Sequence, residues 1–179
     1  YNRQLAAFKQ LCDKIGPIEQ LNADFYIGAH FGGFRDQMES PLILDMAIHT
    51  FDAARYISGR DALSVYCEEF NPSWSWYSGN ASATALFEMQ AGVRFNYRGS
   101  WCSDGMHTSW EGDWRGIGKS GSAKWDGFEL PIADRLIQCN GFHAETERLM
   151  GEIDEAIVEW ISGSFSDFIN ALKTGCTPM

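Results

Sequence analysis

The stretch SPLILDMAIHTFDAARYISG, residues 40–59, reads as one buried helix around which the rest of the chain is organised. Ser40 suits an N-cap, Pro41 the first helical position and Gly59 a C-terminal stop. At about 100° per residue, Asp45, His49, Asp52 and Tyr56 fall in a sector roughly 60° wide, while Leu44, Met46, Ala47, Ile48, Phe51, Ala54 and Ile57 cover most of the remainder. A helix on a solvated surface normally spreads Lys and Glu over a broad outer face. The narrow polar stripe therefore faces an enclosed polar pocket or is simply the helix's wet side. Asp45 and His49, at i and i+4, are neighbours on that surface. A carboxylate so placed can orient the imidazole, which is the arrangement of a general acid/base.

Outward from the helix, residues 2–15 carry helical periodicity through Leu5, Phe8 and Leu11, ended by Gly16-Pro17. Residues 18–29 alternate loosely and suit a strand, and 30–39 form a Gly-containing polar loop expected to border the same pocket as the helix. Beyond Gly59, residues 62–70 alternate as a strand with one buried face, Leu63, Val65 and Cys67 against Ser64, Tyr66 and Glu68. Residues 81–90 and 93–101 flank Ala91-Gly92, a two-residue hairpin signal. Short strands are expected at 114–119, 122–125 and 134–139, an acidic helix at 144–161 and a last helix at 165–172. Helix, strand, helix, then strands, then helices is an α+β order: a large, mostly antiparallel open sheet with helices packed on one face. A broad exposed apolar face on the other side would invite a partner, so a homo-oligomer through that face is expected.

The chain has 179 residues, enough for one domain with a sizeable core. A net charge of −10 argues against nucleic acid or an anionic membrane as partner, because either needs a basic patch. No apolar run approaches the ~20 residues of a membrane span, and the first residues resemble no signal peptide. Five scattered cysteines form no CxxC pair and leave one over, which fits reduced thiols in a cytoplasmic setting.

Rival chemistries are weakly supported. Zinc on Asp45 and His49 with His30 or His107 lacks any HExxH or CxxC spacing, so no metal is expected. There is no GxSxG, and no cysteine has an obvious activating neighbour. The run Gly116-Ile117-Gly118-Lys119-Ser120-Gly121 faintly suggests a phosphate loop, but it lies among strands and reads better as a β-turn. For each of Trp101, Trp110, Trp114 and Trp125 taken singly, core is the better reading. Trp110 stands in a polar loop, where it could pack on the apolar face of a sugar ring while Ser103, Asp104, His107 and Glu111 bond its hydroxyls.

Residues 42–52, with 54–59 behind them, resemble the DxxxH signature in the C-terminal domain of the glucose-fructose oxidoreductase / inositol dehydrogenase / MocA family. Flanking features agree in collinear order. Tyr1-Asn2-Arg3 resembles the tail of the segment leaving the nucleotide-binding domain, and Gly16-Pro17-Ile18 the family's Gly-x-Ile. Residues 118–125 resemble its late Gly-Ser turn, and 168–177 its closing helix.

The resemblance implies a dihydrodipicolinate-reductase-like domain within an NAD- or NADP-dependent dehydrogenase of a sugar, polyol or similar hydroxylated compound. His49 would be the proton acid/base, and Asp45 would orient it or bind a substrate hydroxyl. Asp52, His30, Ser103, His107, Trp110 and Glu111 are the further expected substrate contacts. Ser40-Pro41-Leu42 stands where many members have glycines. No glycine fingerprint opens a helix after a strand, and the family's Glu-Lys-Pro is missing. Residues 1–179 are therefore expected to be a single substrate-binding and oligomerisation domain lacking the Rossmann half, inactive alone. A carbohydrate-binding or scaffold domain, and a non-redox proton-abstracting enzyme, are the alternatives.

Overall fold

The computed structural model describes residues 2–177; Tyr1, at the head of the segment likened to a domain exit, lies outside them. Helix α1 (Arg3–Lys14) opens with the Asn2 side chain accepting from the Leu5 amide. Its buried face, Phe8, Leu11 and Cys12, is the periodic set read from the sequence. Strand β1 (Ile18–Tyr26) follows. The 42–58 stretch is helical throughout, but in two forms: a π-helical segment, Leu42–Ala47, runs into α2 (Ile48–Ser58), which Gly59 ends in the left-handed conformation at φ 62°.

Six strands make up most of the remainder: β2 (Ala62–Phe70), β3 (Ser82–Met89), β4 (Arg94–Ser100), β5 (Asp113–Gly118), β6 (Gly121–Trp125) and β7 (Ile132–Gln138). Strand β8 (Glu145–Met150) and helix α3 (Trp160–Thr174) complete the chain. The eight strands form one sheet in the order β2-β3-β4-β1-β5-β6-β7-β8, antiparallel except for the β1/β4 pair. The β3–β4 turn holds Ala91 at φ 57° and Gly92 at φ 80°, the left-handed pair that the Ala-Gly signal requires.

One sheet face carries the core. Leu21, Ala23, Phe25, Phe95, Tyr97, Trp114 and Trp125 point to the same side as α1 and α2 and pack with Phe8, Leu11, Ala54 and Ile57. The fold is thus α+β, with α1 and α2 on one face of a mostly antiparallel sheet.

Four expectations need correction. Strand β2 buries neither face: it is the sheet edge, with Leu63, Val65 and Tyr66 all exposed. Residues 144–159, nearly all of the expected acidic helix, are not helical. Their first part is β8, held to β7 by register and by cross-strand pairs Arg148 to Asp134 and Arg135 to Glu147. Cross-strand charge pairing of this kind is invisible to a helical reading of the same acidic residues. The Ser40 hydroxyl does not cap the helix but donates to Glu69 Oε2 at 3.1 Å. The open face is polar rather than apolar: Arg98 bonds Asp24, Arg94 bonds Glu88 and Asn96 bonds Asn22, with Tyr66, Leu86 and Ile117 interspersed.

Candidate active site

Strands β1 and β4 run parallel, so their C-terminal ends at Tyr26 and Ser100 release two chain segments side by side. The Ile27 amide donates to the Ser100 carbonyl at 3.0 Å and Gly28 pairs across to Cys102, which zips the two exits together. A third segment, residues 71–80, is tied on by Ser78 N to Asp36 O at 2.8 Å and Asn80 N to Glu39 O at 2.7 Å. Gly79 allows this approach, because a β-carbon there would overlap the Met38 and Glu39 carbonyls. Loops beyond the carboxyl ends of strands are where ligand sites in open sheets commonly form.

Several expected residues converge at this rim. His30 stacks on Trp76 with centroids 3.6 Å apart, and its Nε2 lies 3.1 Å from Asp104 Oδ1. The acceptor carboxylate assigns a proton to that nitrogen. His107 Nε2 accepts from the Gly28 amide at 3.2 Å, which leaves its proton on Nδ1. Trp110 is half exposed beside Phe25 and Phe31. Ser103 instead lines a cavity of about 530 Å³ with Tyr26, Phe70, Trp74 and Asp104. Glu111 enters through its backbone, its carbonyl accepting from Trp114 Nε1 at 2.6 Å. Trp101, Trp114 and Trp125 are core, as expected, whereas Trp110 is not.

The central stripe meets the rim at its first member. Arg35, in the 3₁₀ turn Gly33–Gln37, donates from Nε to Asp45 Oδ2 at 2.6 Å. Asp45 is therefore held by an arginine rather than by His49, and the π-helical winding changes the angular offset between them from that of a regular helix. His49 and Asp52 are exposed on α2, as are Ile48 beside them and Leu44 in the π-helical segment, which a fully enclosed helix would bury. Asp52 pairs with Arg55 at 3.2 Å, a full helical turn beyond His49. Arg35 and Trp76 escaped the sequence reading. Both stand in irregular loops where no periodicity marks a side chain's direction, although Arg35 is the one cation in the 30–39 loop.

Burial shapes the protonation of the rim's scaffold. The Tyr77 phenol, donating to the Ala29 carbonyl at 2.6 Å, is pushed from its usual 10 up to about 12 by burial. The Tyr26 phenol is also raised, first by burial and then by Asp24.

No group of three or more metal-ligating side chains assembles among the described residues. The run 116–121 has the Gly-x-Gly-x-x-Gly spacing, but it is the β5–β6 hairpin, Gly118 pairing with Gly121, and a strand rather than a helix follows. Without a helix N-terminus there is no cradle for a pyrophosphate. This run does not fit a dinucleotide phosphate.

Known proteins are similar to this chain. Protein y4oX of Sinorhizobium fredii is 27% identical over 128 residues, 69% of this chain and 36% of its own length. An oxidoreductase from Agrobacterium radiobacter, solved with NAD⁺, L-tartaric acid and magnesium, superposes with a TM-score of 0.77 at 17% identity, over 98% of this chain and 53% of that one. An inositol dehydrogenase homologue from Azotobacter vinelandii, solved with NADH and myo-inositol, superposes with a TM-score of 0.64 at 16% identity, over 83% of this chain and 40% of that one. The chain thus spans about half the length of these proteins, or less. The family model of the GFO/IDH/MocA C-terminal domain matches residues 6–124, which contain the helix, the rim loops and five of the eight strands, and the chain belongs to that family.

Proposed function

We propose that this chain is the substrate-binding half of an NAD- or NADP-dependent oxidoreductase acting on a sugar, polyol or related hydroxylated compound. The observation that carries this reading is the convergence of Asp45, at the start of the family's DxxxH helix, with the aromatic and histidine-bearing rim through Arg35. His49 takes the proton of the substrate hydroxyl as the carbon gives up hydride. Asp45, fixed by Arg35, hydrogen-bonds a substrate hydroxyl. Trp110 offers a ring to the apolar face of the ligand, and His30, His107 and Glu111 lie at or behind the same rim. Asp52 and Ser103 stand farther out and contribute less. The bound ligands of the solved relatives, myo-inositol and L-tartaric acid, are hydroxylated compounds of this kind.

The test is NAD(P)H absorbance in the intact protein, wild type against His49→Ala, across a panel of sugars and polyols. Loss of turnover by about 10²- to 10⁴-fold, with the fold retained, supports His49 as the acid/base. Normal turnover by a folded His49→Ala sinks that role. Residues 1–179 alone are expected to reduce neither NAD⁺ nor NADP⁺ above background.

A second reading, a non-catalytic carbohydrate-binding domain, is favoured by the 530 Å³ cavity, whose walls include Trp74, Tyr26 and Phe70 with Ser82, Ser100 and Asp104 for hydroxyls. Ligand binding that survives His49→Ala but is lost in Trp74→Ala, with no turnover in wild type, would put this reading first. Assembly of copies through the open sheet face is part of the same proposal.

A further inference from the structure

Arg35 is the only basic side chain among the described residues that pairs with Asp45, and its geometry is that of a prepared anion receptor. Its guanidinium carbon lies 5.0 Å from the centroid of the Phe31 ring and 4.8 Å from that of Phe34. Two aromatic neighbours fix the guanidinium and exclude part of its hydration. Nε is committed to Asp45 Oδ2 at 2.6 Å, and no acceptor for Nη1 or Nη2 occurs among the described residues. The side chain is one-third exposed. The chain as a whole carries a net charge of −10, so a cation held here is not part of a general basic surface.

We propose that Arg35 selects ligands that carry a carboxylate beside their hydroxyls, that is, sugar acids and other hydroxy acids over the corresponding neutral polyols. The Nη1–Nη2 edge presents two parallel N–H donors in one plane, which match the two oxygens of a carboxylate. Because Nε is already occupied, the acid docks end-on, and Asp45 remains on the opposite edge, free to accept a hydroxyl proton through Oδ1. One guanidinium thus orders both the protein carboxylate and the ligand carboxylate, and the ligand hydroxyls lie toward the Asp45–His49 end of the helix. The inference rests on the reading that Asp45 and His49 mark the substrate site, but its readout is binding, not turnover.

The experiment is calorimetric titration of the intact protein with two matched pairs, D-gluconate against D-glucitol and D-galacturonate against D-galactose, with D-galactose 6-phosphate as a further arm. Wild type should bind each acid about ten- to a hundredfold tighter than its neutral partner, the scale of hydrogen bonds to a charged group. Arg35→Met, which also releases Asp45, should weaken both members of each pair but erase the gap between them. Arg35→Lys, which retains the charge opposite Asp45 and so guards against a folding artefact, should shrink the gap because the fork is lost. Equal or undetectable binding of acid and neutral partner in wild type, a gap that persists in Arg35→Met, or a preference for the phosphate over both acids overturns the proposal. His49→Ala separates the two readings: normal turnover with an intact acid preference rejects the acid/base role and supports Arg35, whereas lost turnover without any acid preference does the reverse.

Discussion

Tyr77 joins two of the segments that build the rim. Its hydroxyl donates to the Ala29 carbonyl, its own carbonyl accepts from Asn71 Nδ2 at 2.8 Å, and its ring stacks near Trp101 at 6.1 Å. Ala29 O keeps a second donor, the Phe31 amide at 3.0 Å, so Tyr77→Phe removes one bond without orphaning the acceptor. The expected cost is about 1 kcal/mol in urea unfolding near neutral pH. The variant also reports on alkaline stability. In the folded state the phenol titrates near 12, while in the unfolded chain it titrates at its usual 10, so between those values the unfolded state has lost a proton that the folded state retains. Stability contributed this way is present below pH 10 and is lost as pH rises toward the folded value. Cys12, pushed from 9.0 to about 12 chiefly by burial, and Tyr97, also raised, add to the same alkaline loss. Tyr77→Phe should therefore lose stability less steeply than wild type between pH 10 and 12. Parallel slopes would show that Tyr77 is not one of the groups responsible.

At the scale of elements, legibility followed the locality of the signal. Helix α1 was readable because Phe8 and Leu11 face the core at helical spacing, and the β3–β4 hairpin because Ala91-Gly92 supplies its turn. Strand β8 was not, since what makes 145–150 a strand is pairing to β7, a partner supplied by the fold and not by the segment. The burial of β2 failed for a related reason: alternation marks two faces but does not say whether anything covers them, and an edge strand has less to cover it. Of the candidate site, the helical conformation of the 42–58 stretch that carries Asp45 and His49 was readable. The π-helical start and the Arg35 bond, both products of tertiary packing, were not. Helix α3 poses a different question. It buries only Gly163 and Ala171, while Ile161, Phe165, Phe168 and Leu172 form an exposed stripe, and it begins at Trp160 with φ 60°, a costly conformation for a non-glycine residue. With so little buried surface, α3 should open well before the sheet. In native-state hydrogen exchange of this chain its amides should show lower opening free energies than those of β1, whose Leu21, Ala23 and Phe25 are buried. Equal protection in α3 and β1 would mean that the helix is held by more than its buried contacts.

At the scale of the molecule, the open sheet face decides whether copies assemble. Eight strands about 4.8 Å apart, each about 20 Å long, make a face of roughly 700 Å², close to the ~800 Å² that each partner contributes to a standard interface. The charges on it are largely neutralised within the chain, Arg98 by Asp24 at 2.8 Å and Arg94 by Glu88 at 3.1 Å, so a second copy would meet a polar surface with little uncompensated charge. Apolar contact would come from Leu86, flanked in register by Tyr66 on β2 and Asn96 on β4. Leu86 is half exposed, so Leu86→Lys should alter the stability of a single chain by no more than about 0.5 kcal/mol. In the middle of an interface the same substitution would bury an unpaired ammonium, a cost of several kcal/mol. If copies meet on this face, wild type at tens of micromolar should scatter light as a dimer or larger, and Leu86→Lys should scatter as a monomer with its melting temperature nearly unchanged. A monomeric wild type, or an assembly indifferent to Leu86→Lys, would place the contact elsewhere and leave the polar ladder as an ordinary solvated surface.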